Sequence, residues 1–244
     1  MLPPPGARLG CPALLAPLLL ALTLPFGGCA TRPPAATAAA PVALLAEPPN
    51  LSDAKAAVLA YVDSGAYSRD LAATAAEARA WIEQRASARR PGERLAIVLD
   101  IDETALSNLP HMRAEDFGYH PREWEEWIDS AKAPALAPIF ELHRAARARD
   151  VAVLFLTGRK SPRELAGTEK NLRREGFSDY AALRLAEPAD AALSTAAARK
   201  TAARAAWAAE GWTIIATIGD QESDLVGGHA ERVFKLPNPF YRIP

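Results

Sequence analysis

Apolar and polar positions keep a different period in different parts of the chain, and those changes divide it. Up to about residue 28 the sequence is apolar with no period, centred on the Leu/Ala-rich run Ala13 to Leu24. From Leu51 a helical period begins. Ser52 is read as an N-cap, with Ala56, Leu59, Ala60 and Val62 behind it, and Gly65 breaks the helix. A second helix is expected from about Arg69 to Arg89, with Leu71, Ala75, Ala78 and Ile82 on one face and a stop at Pro91-Gly92. The pattern then becomes short apolar runs: Leu95 to Leu99, Val151 to Leu156, Ala182 to Leu185 and Thr213 to Ile218. Their length and β-branched content suit buried parallel strands. Helical stretches lie between them, at about 138–149, 162–175 and 195–210. Strands alternating with helices of this length imply βαβ units, an α/β class with a parallel sheet covered on both faces. Ala105 to Pro134 fits no such unit and is expected to be an insertion after the first strand, a common place for a lid or cap.

Composition refines the N-terminal part. Residues 1–28 carry one charge, Arg8, then an apolar region and small residues, the layout of a signal peptide. Pro12, Pro17 and Pro25 interrupt a run already short of the ~20 residues a membrane span needs. Phe26-Gly27-Gly28-Cys29 resembles a bacterial lipobox, with Phe where Leu is usual. Cys11 lies inside the signal, so Cys29 is the one cysteine that remains after cleavage. It is followed by an Ala/Pro-rich tether, residues 29–50. The expectation is an exported bacterial lipoprotein held to the membrane by a lipid on Cys29, on the periplasmic face or outer membrane. Residues 51–244 would form one domain with its cap insertion at about 105–134.

No cysteine pair is left, so a core rather than disulfides must stabilise the domain. The whole chain has a formal net charge of −1, and removing Arg8 with the signal lowers it by one more. Such a balance lacks the basic excess of a nucleic-acid binder.

The candidate chemistry sits where strands end. Asp100-Ile101-Asp102-Glu103-Thr104 follows the first strand. Ligands of open α/β sheets bind at the carboxyl ends of strands. A carboxylate pair there can hold a divalent cation, attack an electrophile or exchange a proton; alone it serves equally as a solvated acidic loop. The second strand runs into Thr157-Gly158-Arg159, a hydroxyl, an open backbone N–H and a guanidinium, groups that suit a phosphate oxygen. The last runs into Gly219-Asp220 with Asp224 four residues on, and Lys200 lies near the start of the preceding helix. Four carboxylates in one place are tolerable with a metal ion and a cationic side chain beside them.

Asp-x-Asp-x-Thr, Thr-Gly-Arg, Lys and Gly-Asp-x-x-x-Asp, in that order, are similar to the haloacid dehalogenase-like (HAD-like) phosphatases. Longer stretches narrow the resemblance: Asp100 to Pro110, Trp127 to Leu136, Thr168 to Leu172, and Gly219 to Leu225. They look like the branch of bacterial lipoprotein acid phosphatases and plant acid phosphatases related to vegetative storage proteins. The resemblance implies a Rossmann-like doubly wound sheet with N-terminal helices and a small helical cap. It implies a Mg²⁺-dependent acid phosphatase for small phosphomonoesters, nucleoside monophosphates among them. Asp100 would be the nucleophile and Asp102 the general acid/base. Mg²⁺ would be held by Asp100, the Asp102 carbonyl and Asp220, with Asp224 supporting. Thr157, Gly158 and Lys200 would hold the phosphoryl oxygens, and Arg159 stands with them. Trp124 and Tyr241 would flank the leaving group, although His111 stands where Tyr is usual. A second reading is packing alone for Trp124 and Trp127, which are spaced to share a helix face. Partners expected are the small ester, the membrane through the anchor, and a second copy of the chain if it dimerises, with no nucleic acid. The alternatives to hydrolysis are a storage or binding relative that has lost catalysis, or phosphoryl transfer on the same fold.

Overall fold

The computed structural model describes residues 48–243. The signal peptide and Cys29 lie outside the described residues, as does the tether up to residue 47. Helix α1 (Leu51–Asp63) is capped by Asn50, not Ser52: the Asn50 side chain accepts from the Ser52 N–H at 2.9 Å. Asn accepts at this position as well as Ser does, and it stands one residue ahead of the first helical turn. Gly65, at φ +75°, separates α1 from α2 (Ala66–Ser87). The expected face of α2 is its buried one: Leu71, Ala75, Ala78 and Ile82, together with Tyr67.

Five strands follow: β1 (Arg94–Leu99), β2 (Ala152–Lys160), β3 (Ala182–Ala186), β4 (Trp212–Gly219) and β5 (Val233–Lys235). They form one parallel sheet in the order β3-β2-β1-β4-β5. The edge strand β5, three residues with only Phe234 buried, carries too little pattern for the sequence to reveal it. Alternate side chains of the central strands enter two cores. Leu95, Ile97, Leu99, Val153, Phe155 and Ile215 meet α2 and α5 (Ala137–Arg147) on one face. Ala96, Val98, Leu154 and Ile214 meet Ala203 and Trp207 of α7 (Ala196–Ala209) on the other. Outside the insertion, the remaining helices among the described residues are α6 (Leu165–Arg174), α8 (Glu222–Leu225) and a 3₁₀ turn at Pro188–Ala192.

The insertion holds two helices, α3 (Leu109–Ala114) and α4 (Pro121–Ser130). Its ends are pinched together. Leu106 bridges Ala135 antiparallel, and the Ser107 N–H donates to the Pro134 carbonyl at 2.8 Å. Strand register then fixes the site. Leu99 stands level with Phe155 on one side and Ile218 on the other, so Asp100, the Thr157-Gly158-Arg159 end of β2 and Asp220 lie toward the same, carboxyl end of the sheet. The strand order reverses beside β1, and such a switch point is where doubly wound sheets open a crevice.

Candidate active site

Asp100 is the first residue past β1, and its N–H is still held by the Ile218 carbonyl at 3.1 Å. Its carboxylate is buried and accepts from Lys200 Nζ at 2.7 Å through Oδ1. Lys200 comes from the first turns of α7, and its Nζ also donates to Asp224 Oδ1. Asp224 is fixed in turn by its Oδ2, which accepts the Gln221 N–H at 2.9 Å. Asp220 completes the group: ligand oxygens of Asp100, Asp220 and Asp224 lie within 4.8 Å of one another. Gly219 is required for this closeness, since a Cβ there would run into the Asp224 side chain.

The electrostatics are those of too many carboxylates. Burial, then the neighbouring carboxylates, push Asp100 well above the ordinary carboxylate range despite Lys200. Burial and Asp224 raise Asp220 as well, against hydrogen bonds from Asn238 and Gln221. Burial opposes the Lys200 ammonium, yet Asp100 and Asp224 outweigh it and hold its pKa above the usual value. One lysine therefore does not offset three acids. A close set of hard oxygen donors with surplus negative charge fits a divalent cation.

Asp102 has a different environment. It is not one of the close trio. Asp102 Oδ1 accepts from Arg159 Nη2 at 2.7 Å and from Asn108 Nδ2 at 2.8 Å, while Arg159 Nε sits 3.1–3.2 Å from both oxygens. Burial would raise this carboxyl, but the charge and hydrogen bonds of Arg159, with Asn108, hold it below its ordinary value. This corrects the expectation for Arg159. Its side chain is 1% exposed and committed to Asp102 and Thr168, rather than free to meet a phosphate.

Thr157 is buried, its hydroxyl accepting the Arg159 N–H at 3.2 Å, and Gly158 is exposed beside it. Asp100, Asp102, Gly158, Lys200 and Asp220 share a cavity of about 500 Å³ with Phe117, Trp124, Phe240 and Tyr241. The two tryptophans part company there. Trp124 lines the cavity, with Nε1 donating to Glu164 Oε1 at 3.1 Å. Trp127 packs inward, stacks on His111 at 5.4 Å and donates to Asn108 Oδ1 at 2.8 Å. His111, which stands where Tyr is usual in the resembling proteins, is part of the cavity lining.

Several residues of the site were not singled out from sequence. Glu103, with φ +53°, is fully buried, and burial and the Asp102 charge push it up to about 8. It accepts from Asn108 and from the Tyr241 hydroxyl. Asn238 and Gln221 both donate to Asp220. Glu103, Asn108 and Gln221 lie inside the quoted motifs, but polar residues beside carboxylates carry no signal of their own. Asn238 lies 18 residues from its partner, with nothing local to mark it.

A sequence model of a protein family, described as HAD superfamily, subfamily IIIB (acid phosphatase), matches residues 35–244. The chain belongs to that family. Acid phosphatase 1 of Solanum lycopersicum is 38% identical to it over 150 residues, covering 60% of this chain and 58% of the relative. The Stem 28 kDa glycoprotein of Glycine max is 37% identical over 151 residues (60% and 59%). Vegetative storage protein 1 of Arabidopsis thaliana is 30% identical over 152 residues (60% and 55%). The chain thus spans less than two thirds of the length of these curated relatives. The class C acid phosphatase from Bacillus anthracis with tungstate bound superposes with a TM-score of 0.65 at 24% identity, covering 79% of this chain and 86% of that one. At that identity the likeness shows the fold, an HAD-type α/β sheet. No helix among the described residues is long and apolar enough to cross a membrane. The relatives named here lend no support to a bacterial lipid anchor.

Proposed function

We propose that this family member is a divalent-cation-dependent acid phosphatase that hydrolyses small phosphomonoesters through an aspartyl-phosphate at Asp100. The observation that carries this is Asp100 itself: a buried carboxylate held by Lys200 at 2.7 Å, grouped with Asp220 and Asp224, and facing a cavity with aromatic walls.

An Asp100 oxygen attacks phosphorus while the ester P–O bond breaks, and Asp102 gives its proton to the departing alcohol. Asp102 then takes a proton from water, the water oxygen bonds to phosphorus, and the P–O bond to Asp100 breaks to release inorganic phosphate. As described, Asp102 is paired with Arg159 and ionised, the form needed for the second step. The first step requires it to take up a proton, which acid pH and an incoming phosphate dianion both favour. Lys200 and the Gly158 N–H, with Thr157, are assigned to the phosphoryl oxygens, where they stabilise developing charge. Asp100, Asp220, Asp224 and the Asp102 carbonyl would hold Mg²⁺, which when bound offsets the carboxylates and polarises the phosphoryl group.

Trp124, Phe117 and Tyr241 suit a flat aromatic leaving group, an aryl phosphate or a nucleoside monophosphate. Storage proteins occur among the relatives, but this chain retains both Asp100 and Asp102, which favours the enzyme. Export rests on the apolar segment before residue 28, and lipidation on Cys29 alone. Phosphate release from a panel of aryl, nucleoside and alkyl phosphates, with Mg²⁺ and with chelator, tests the reading. Asp100→Asn should lose several orders of magnitude in kcat while keeping its fold by circular dichroism. A Mg²⁺-dependent rate near wild type in that variant would sink the assignment.

A further inference from the structure

The mechanism uses Asp220 and Tyr241 but leaves aside two primary amides that lie between them. Asn238 Nδ2 donates to Asp220 Oδ2 at 2.6 Å, and Gln221 Nε2 donates to the same oxygen at 2.5 Å. Their carbonyl ends face the C-terminal segment. Asn238 Oδ1 accepts the N–H of Phe240 at 2.8 Å and that of Tyr241 at 3.4 Å, and Gln221 Oε1 accepts the N–H of Ile243 at 2.9 Å. Each amide is thus used at both ends, as donor to a carboxylate and acceptor from backbone.

Residues 240–243 belong to no helix or strand, so these two side chains take the place of regular pairing. The segment nevertheless supplies a wall of the cavity. Tyr241 reaches across to donate to Glu103 Oε2 at 3.1 Å, and Phe240 packs edge-on against Tyr67 at 5.3 Å. At the other end, two donors occupy Asp220 Oδ2, while among the described residues Asp220 Oδ1 accepts from the Thr104 hydroxyl alone, at 3.3 Å. A neutral amide suits this place. Lysine or arginine would also orient the carboxylate, but would cancel the charge that a cation needs.

We propose that Asn238 and Gln221 are positioning residues that set two things together: the Asp220 oxygen offered to a divalent cation, and the place of the Tyr241 wall. Cation affinity and leaving-group selectivity are therefore coupled through two amide side chains that hydrogen-bond to Asp220 at one end and to the C-terminal segment at the other. The inference rests on the phosphatase reading.

The full chain is compared with Asn238→Ala, Gln221→Ala and Tyr241→Ala. The Kd for Mg²⁺ is measured by calorimetry without substrate, and KM is measured for an aryl phosphate and for glycerol phosphate. Loss of a partner that orients a metal ligand costs about 10–100-fold in metal affinity. Asn238→Ala should show a loss in that range and also raise the aryl KM several-fold while sparing that of glycerol phosphate. Tyr241→Ala should raise the aryl KM and leave the Mg²⁺ affinity alone. Gln221→Ala should repeat the paired change in weaker form, and it carries the test if Asn238→Ala does not fold. The inference is overturned if only one of the two properties moves, if neither does, or if both KM values rise equally alongside a lower Tm. A wild-type chain that binds no Mg²⁺ and releases no phosphate overturns the phosphatase reading itself, before any variant is compared.

Discussion

Two aspartates two residues apart meet opposite surroundings, and that difference is what lets them divide the chemistry. Asp100 lies among carboxylates with one lysine, and Asp102 lies under a guanidinium. Arg159 therefore sets the acidity of Asp102. Replacing it with alanine should raise the Asp102 pKa, so the pH at which kcat/KM falls on the alkaline side should move upward. A pH profile on an aryl phosphate reads this directly, and an unmoved alkaline limb would contradict it. The sequence showed which residues gather at this edge, because strand ends and motif order are local patterns. It did not show their pairing. Arg159 stands beside two candidate phosphate ligands in sequence, yet the register of β2 aims its side chain at Asp102 and Thr168. Direction across a sheet edge depends on neighbours distant in the chain, here up to 57 residues away.

At the scale of elements, the cap is held by helix contact more than by charge. Gly167 of α6 lies against α4 so closely that a Cβ there would stand 2.6 Å from the Ile128 carbonyl oxygen. Around this contact Arg163 pairs with Asp129 and Glu125, and Asn171 closes a two-way bond with the Ala133 backbone. The ion pairs are exposed and worth little each. The close approach is not, because backbone cannot move aside like a side chain. Gly167→Ala should destabilise the protein by about 1–3 kcal/mol, the usual cost of overpacking. Because α4 carries Trp124, the variant should also raise KM for aryl esters more than for alkyl ones. Denaturant unfolding checks the first effect and paired KM values the second. The period of the sequence predicted α2, α5, α6 and α7 to within a few residues. The α4 helix was legible only as the spacing of Trp124 and Trp127, since neither the composition nor the length of the insertion specified α3 and α4.

Across the whole molecule, a domain with no disulfide must keep its N-terminal helices on the sheet at acid pH if it works there. Three contacts from α2 do this. Ile82 and its neighbours fill the core, Trp81 Nε1 donates to the Ile215 carbonyl at 2.7 Å, and Arg85 forks between Glu93 and Glu231. The first two do not titrate; the third does. Hydrogen bonds from Arg85, then from the Arg90 N–H, pull Glu93 down from 4.5 to about 2. A carboxyl whose pKa is depressed by folding adds stability that is complete above its unfolded value and disappears as pH falls through its folded one. The Arg85–Glu93 contact should thus act in full at pH 5 and fade between about 4.5 and 2. Glu93→Gln should lower Tm by a constant amount from pH 7 to about 5, and the gap to wild type should then shrink as the pH approaches 2. Thermal unfolding of both proteins across that range decides it. A gap that stays constant down to pH 2.5 would place the contribution of Glu93 in packing, and the acid tolerance of this helix–sheet junction would then rest on Trp81 and the core alone.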